Sequence, residues 1–173
     1  MMRWLWRGAA AGAAGTTALN AVTYLDMAAR GRPSSSTPEQ TVEKLADKTG
    51  VGIPGDDDAR QNRLQGLGPL MGLAAGVGTG VVFGLIRGAG WRPGPLGGTA
   101  ATTGAVLVAA NGPMTVLGVT DPRSWPPSAW AADLVPHLAY GFVAAATLAA
   151  LDDRDRDRAG TAVVHAVRRR LQR

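Results

Sequence analysis

The charged residues of this chain are segregated. None of its 18 Lys/Arg and only two of its 13 Asp/Glu fall within four windows, at residues 8–29, 64–86, 94–118 and 129–151. The two exceptions, Asp26 and Asp133, lie near window ends. A run of about 20 mostly apolar residues is long enough to cross the hydrocarbon core of a bilayer. All four windows meet that length, and the mean hydropathy of +0.02 hides them by averaging in the charged connections. They are rich in Ala and Gly, and the first is the least hydrophobic. The pattern predicts an all-α integral membrane bundle of four transmembrane helices over residues 1–151, followed by a charged cytoplasmic tail at 152–173.

Tryptophan placement points the same way. Trp4, Trp6, Trp91, Trp125 and Trp130 all lie between or at the edges of the windows, as expected of an aromatic belt at the membrane–water interface. The absence of cysteine excludes disulfides, thiol catalysis and thiolate metal sites. A pI near 10.7 is compatible with nucleic acid. No recognition motif or aromatic-interleaved basic stripe accompanies it, so the partner expected is a lipid bilayer and not nucleic acid. The basic start MMRWLWR followed by small residues can also be read as a signal peptide. The apolar character continues to Met27 without a cleavage site, which favours a retained helix.

The second window carries a glycine zipper: Gly68, Gly72, Gly76, Gly80, Gly84 and Gly88 stand four residues apart. In water each interior glycine would cost a helix about 1 kcal/mol relative to alanine. In a bilayer the backbone must satisfy its own hydrogen bonds, and a small-xxx-small ridge lets another helix approach closely. Steps of four residues drift about 40° each around a helix, so the ridge winds roughly halfway round over its length. Two neighbours are therefore expected to share it, window one taking one part and window three or four the other. This makes the ladder helix the expected centre of the bundle.

The connections have their own signals. In SSSTPEQTVEKLADKTG, Thr37 is the expected N-cap with Pro38 at the first helical position and Gln40 completing a capping box. A short amphipathic helix is predicted over 38–49, with Gly50 as its stop. Residues 51–63 read as a loop. Asp56, Asp57 and Asp58 lack the ligand spacing of a calcium-binding hand, which leaves a solvated acidic turn. Asn111-Gly112-Pro113 is expected to kink or end the third helix. In the tail, Val163, Val164, Val167 and Leu171 share a helical face opposite Arg168, Arg169, Arg170 and Arg173. That arrangement fits either an anionic leaflet or a solvated helix.

Counting Lys/Arg sets the orientation. With both termini inside, the inner segments carry eleven and the outer segments seven. The bias favours cytoplasmic termini in a multi-pass protein of the bacterial plasma (inner) membrane, with six Lys/Arg in the first connection opposing it.

Five polar residues are candidates for chemistry: Asp26, Asn111, Asp121, Asp133 and His137. An up-down topology puts them at one end, the outer one. Asp133 and His137 are one helical turn apart, and an intramembrane acid–imidazole pair can relay protons or hold a cation. The structural alternative pairs Asp26 with Arg30 and makes Asp133 the N-cap of a helix starting at Leu134. No nucleophile–base arrangement stands out and two histidines are too few for a histidine-based metal site, so no catalytic residue, metal or cofactor is assigned.

The segments AAGTTALNAVTYLDMAARGRPSSSTPEQTVEKLAD, NGPMTVLGVTDPRSW and DLVPHLAYG resemble uncharacterised four-helix integral membrane proteins of high-GC actinobacteria. Together they cover roughly a third of the chain. The order of features is also distantly similar to the YagU-like inner-membrane family, which has a Pro-containing polar stretch after its first helix and a late helix bearing a histidine. That family's association with acid tolerance would suit a role for His137. Neither resemblance supplies a reaction or catalytic residues. The functions expected are a structural or accessory membrane component able to form a homo-oligomer or, as the alternative, a small oligomeric proton or ion channel or transporter. A lipid-modifying enzyme has the least support.

Overall fold

A computed structural model describes the backbone of residues 1–171 and the side chains of residues 1–152. The described residues form five α-helices and one short 3-10 turn, with no strand. In chain order the helices are α1 (Met2–Arg30), α2 (Thr37–Thr49), α3 (Asp57–Gly88), α4 (Pro95–Val116) and α5 (Pro127–Leu171), with the 3-10 turn Pro122–Ser124 before α5.

Local chemistry explains most boundaries. Gly31 and Gly50 take left-handed conformations and end α1 and α2. Thr37 is not the cap of α2. It is the first helical residue, and Gln40 reaches back to the Ser36 hydroxyl at 2.8 Å. The expected loop over 51–63 is also shorter than read. The Asp56 carboxylate accepts from the Ala59 amide at 2.8 Å and starts α3 seven residues before the apolar window. α4 continues through Pro113, where the Thr115 hydroxyl bonds the Asn111 carbonyl at 2.8 Å. Nor does α5 start at Leu134 or stop at Leu151. It begins at Pro127 and runs unbroken into the charged segment, so Asp133 is an interior residue and not a cap. The expected amphipathic face from Val163 to Leu171 concerns side chains outside the described residues.

α1, α3, α4 and α5 form an up-down bundle. Gly8 lies against Gly80 and Gly12 against Gly76, which makes α1 and α3 antiparallel. Gly15 meets Tyr140 while Arg7 meets Asp152, so α1 and α5 are antiparallel too. α4 pairs with α5 through Gly98 and Ala145, Thr103 and Gly141, and Asn111 and Asp133. The most extensive contacts join α1 to α3 and to α5. α1, rather than the ladder helix, therefore sits between its neighbours.

Polarity is inverted relative to a water-soluble bundle. Thr16, Thr79, Thr102 and Thr103 are buried, whereas Leu70, Val82, Val108, Val135 and Phe142 are exposed. Helical back-bonding lets the threonines sit inside: the Thr16 hydroxyl donates to Gly12 O at 2.9 Å and Thr102 to Gly98 O at 2.7 Å. Two helices, α3 and the described part of α5, are long and apolar enough to cross a membrane. Only 22% and 39% of their most apolar stretches are buried, unlike the core helix of a soluble protein. α1 and α4 are long enough, but Gly, Ala and Thr keep their hydropathy lower.

Candidate functional site

The structure divides the five polar candidates. Asn111, Asp133 and His137 meet in the seam between α4 and α5. The Asn111 amide donates to Asp133 Oδ2 at 2.9 Å. His137 Nδ1 lies 2.7 Å from the Asp133 carbonyl oxygen and 3.5 Å from its Oδ1. The Nδ1–H tautomer satisfies that carbonyl and leaves Nε2 as the basic nitrogen. His137 is buried at 8% exposure. Helical spacing brings the carboxylate and imidazole together, and Asn111 fixes the carboxylate from the neighbouring helix. The arrangement fixes a carboxylate and an imidazole side by side in the α4–α5 seam. Among the described residues, no three His, Cys, Asp or Glu side chains group as a metal site would require.

Asp26 and Asp121 are engaged locally. Asp26 accepts from Arg30 and Arg32, each at 2.6 Å, tying down the α1 terminus. Asp121 caps the 3-10 turn and pairs with both Nε and Nη2 of Arg123 at 3.0 Å. Those hydrogen bonds hold the Asp121 carboxyl below the usual aspartate range.

The ladder is shared, but with a different second partner. Gly76, Gly80, Gly84 and Gly88 face α1, where an added Cβ would meet Thr16, the Gly8 and Gly12 backbone, and Trp4. Gly68 faces Pro38 and Glu39 of α2, not α4 or α5, and Gly72 has open space beside it. At Gly76 the seam also reaches α5. Tyr140 is fully buried and its hydroxyl donates to the Gly76 carbonyl at 2.5 Å. Tyr140 packs with Val106, Ala144 and Leu19, filling the centre of the bundle.

Sequence reasoning missed the opposite end. Asp152, assigned to the solvated tail, is buried with 4% of its side chain exposed. It accepts from Arg87 Nε at 2.5 Å, and Arg7 and Arg92 stand 3.6 Å away. Arg3, Arg7 and Arg92 also lie 5.1, 5.1 and 5.8 Å from the Trp4 ring centre. Trp4 is itself buried, packed on Gly88, whereas Trp6, Trp91 and Trp130 are exposed as an interfacial belt requires. The signal was present: an up-down topology brings Arg7, Arg87, Arg92 and residue 152 to one end.

α2 lies antiparallel along the start of α3, with Glu43 bonded to Arg60. Between them, and floored by the 51–54 connection, is an open groove of about 460 Å³. Val42, Leu45, Ile53, Pro54 and Leu67 line it, and Arg63 stands at its edge bonded to the Pro54 carbonyl. Compared with protein-family models, curated proteins and solved structures, the chain matches none.

Proposed function

We propose that this chain is a multi-pass integral protein of the bacterial plasma membrane, with α1, α3, α4 and the first part of α5 each spanning it, and that it acts as a structural or accessory membrane component. The inversion of polarity carries this reading. Many large aliphatic side chains lie outside, while Gly and Thr share the interior with a few apolar residues such as Val106, Tyr140 and Leu148, an arrangement that suits lipid better than water. The resemblance to four-helix actinobacterial membrane proteins and to the YagU-like family agrees with it. Alkaline carbonate washing of membranes tests it. The protein remains in the pellet and is released only by detergent, whereas release by carbonate alone refutes membrane integration.

The half-buried Asn111–Asp133–His137 constellation favours one alternative, a proton or ion pathway. Tyr140 blocks the centre of a single bundle, so the pathway would run between copies in a homo-oligomer. Reconstituted vesicles test it: unchanged proton or ion flux after His137→Ala rules it out.

A further inference from the structure

We propose that the groove between α2 and α3 seats one acyl chain of an anionic bilayer phospholipid. The inference rests on the membrane reading given above. The groove's 460 Å³ falls in the roughly 300–1,000 Å³ range of ligand sites, and its walls are almost wholly apolar. In water an exposed arrangement of Leu45, Val51 and Leu67 would be a liability. Three observations identify the occupant as lipid. Leu67 belongs both to the groove and to the exposed α3 stripe that continues through Leu70 and Leu73 towards the membrane-spanning part of the helix. The groove is therefore continuous with the surface the acyl chains already cover. It also lies where α3 passes from its charged first turns into its apolar stretch, the level of lipid headgroups. Finally, Arg63 is the one charged residue among the lining groups, and among the described residues it donates to Pro54 O through Nη1 alone. A guanidinium lining an otherwise apolar groove matches a phosphate joined to an acyl chain.

The absence of native cysteine makes the test direct. Three full-length variants, Ile53→Cys in the groove, Val82→Cys on the exposed α3 face and Asp47→Cys on the solvent side of α2, are labelled with bimane and reconstituted. Phospholipids bearing a doxyl quencher near the top of one acyl chain are then added. Quenching at 53 comparable to that at 82, with little at 47, supports the proposal. Quenching at 82 but not at 53 overturns it while the membrane reading stands. No quenching at 82 overturns the membrane reading itself. Exchanging phosphatidylglycerol for phosphatidylcholine carriers reads the headgroup. Arg63→Gln weakens the preference for the anionic lipid by about fivefold, the worth of one basic residue at an anionic surface; an unchanged preference removes Arg63 from the proposal. Pyrene at position 53 that forms excimers at high lipid dilution identifies a second copy as the occupant and overturns it.

Discussion

The Tyr140 hydroxyl reaches from α5 to the carbonyl of Gly76 on α3 at 2.5 Å, and the space a side chain at Gly76 would need is taken by Thr16 of α1. The ring sits against Gly15 of α1 as well, so one aromatic residue fixes the spacing of α1, α3 and α5. Tyr140→Phe keeps the packing and loses the hydrogen bond. Its expected cost is about 0.5–1.5 kcal/mol. Tyr140→Ala opens a cavity at the centre and costs about 3–5 kcal/mol. Reversible unfolding in mixed micelles, followed by circular dichroism, measures both. Equal losses from the two variants would show that the hydroxyl, not the ring, holds the junction.

Two glycines of the ladder separate packing from helix propensity. At Gly80 an added methyl meets the backbone of Gly8 and Gly12, which have no flexible end to move aside. Gly80→Ala therefore forces α1 and α3 apart, at roughly 1–3 kcal/mol. At Gly72 nothing lies within 4 Å, and Gly72→Ala gains up to about 1 kcal/mol in helix propensity. Opposite signs in the same unfolding assay are the expected result.

Asp152 faces several guanidiniums with almost no access to solvent. Asp152→Asn leaves the half-buried Arg87 without its counter-charge, and breaking such a pair costs about 3–5 kcal/mol. Asp121→Asn, in the solvent-exposed pair with Arg123, is expected to cost far less. Thermal scans of both variants in one detergent give the comparison. A smaller loss at 152 than at 121 would mean that the buried cluster does not hold the bundle end.

The Asp121–Arg123 pair also sets a pH dependence. Because Arg123 depresses the Asp121 pKa in the folded protein, the pair's contribution is present above the ordinary aspartate value of 3.8 and lost as pH falls through the lower folded value. The carboxyl carbon shift of Asp121 in a ¹³C titration is expected to have its midpoint below 3.8, and Arg123→Gln returns it towards that value.

Much of this architecture was legible in the sequence because charge segregation and glycine spacing are one-dimensional patterns with a direct physical meaning. The four long helices and the contact of the first window with the ladder follow from them, and the short helix near 38–49 follows from Pro38 at its start and Gly50 at its stop. Three features did not. Gly68 goes to α2 because the ridge winds away from α1, and the sequence does not say which element fills the vacated side. Asp56 starts α3 early because a capping carboxylate can nucleate a helix in polar sequence, so the apolar window marks only part of the helix. Asp152 looked solvated because it opens the charged run DDRDRDR, and only the convergence of Arg7 and Arg87 on it reveals a buried partner. At the candidate site, periodicity paired Asp133 with His137, but the Asn111 contact needed the α4–α5 register.

The central claim is that the four long helices alternate across a membrane, and labelling of single cysteines in intact cells measures this most directly. Ser36→Cys and Ala89→Cys place one thiol in each of the first two connections, and Ser128→Cys places one in the exposed first turn of α5 beside the third, in a chain that otherwise has none. A membrane-impermeant maleimide is expected to label positions 36 and 128 before lysis and position 89 only after it. Equal labelling at all three positions before lysis would contradict the four-span bundle.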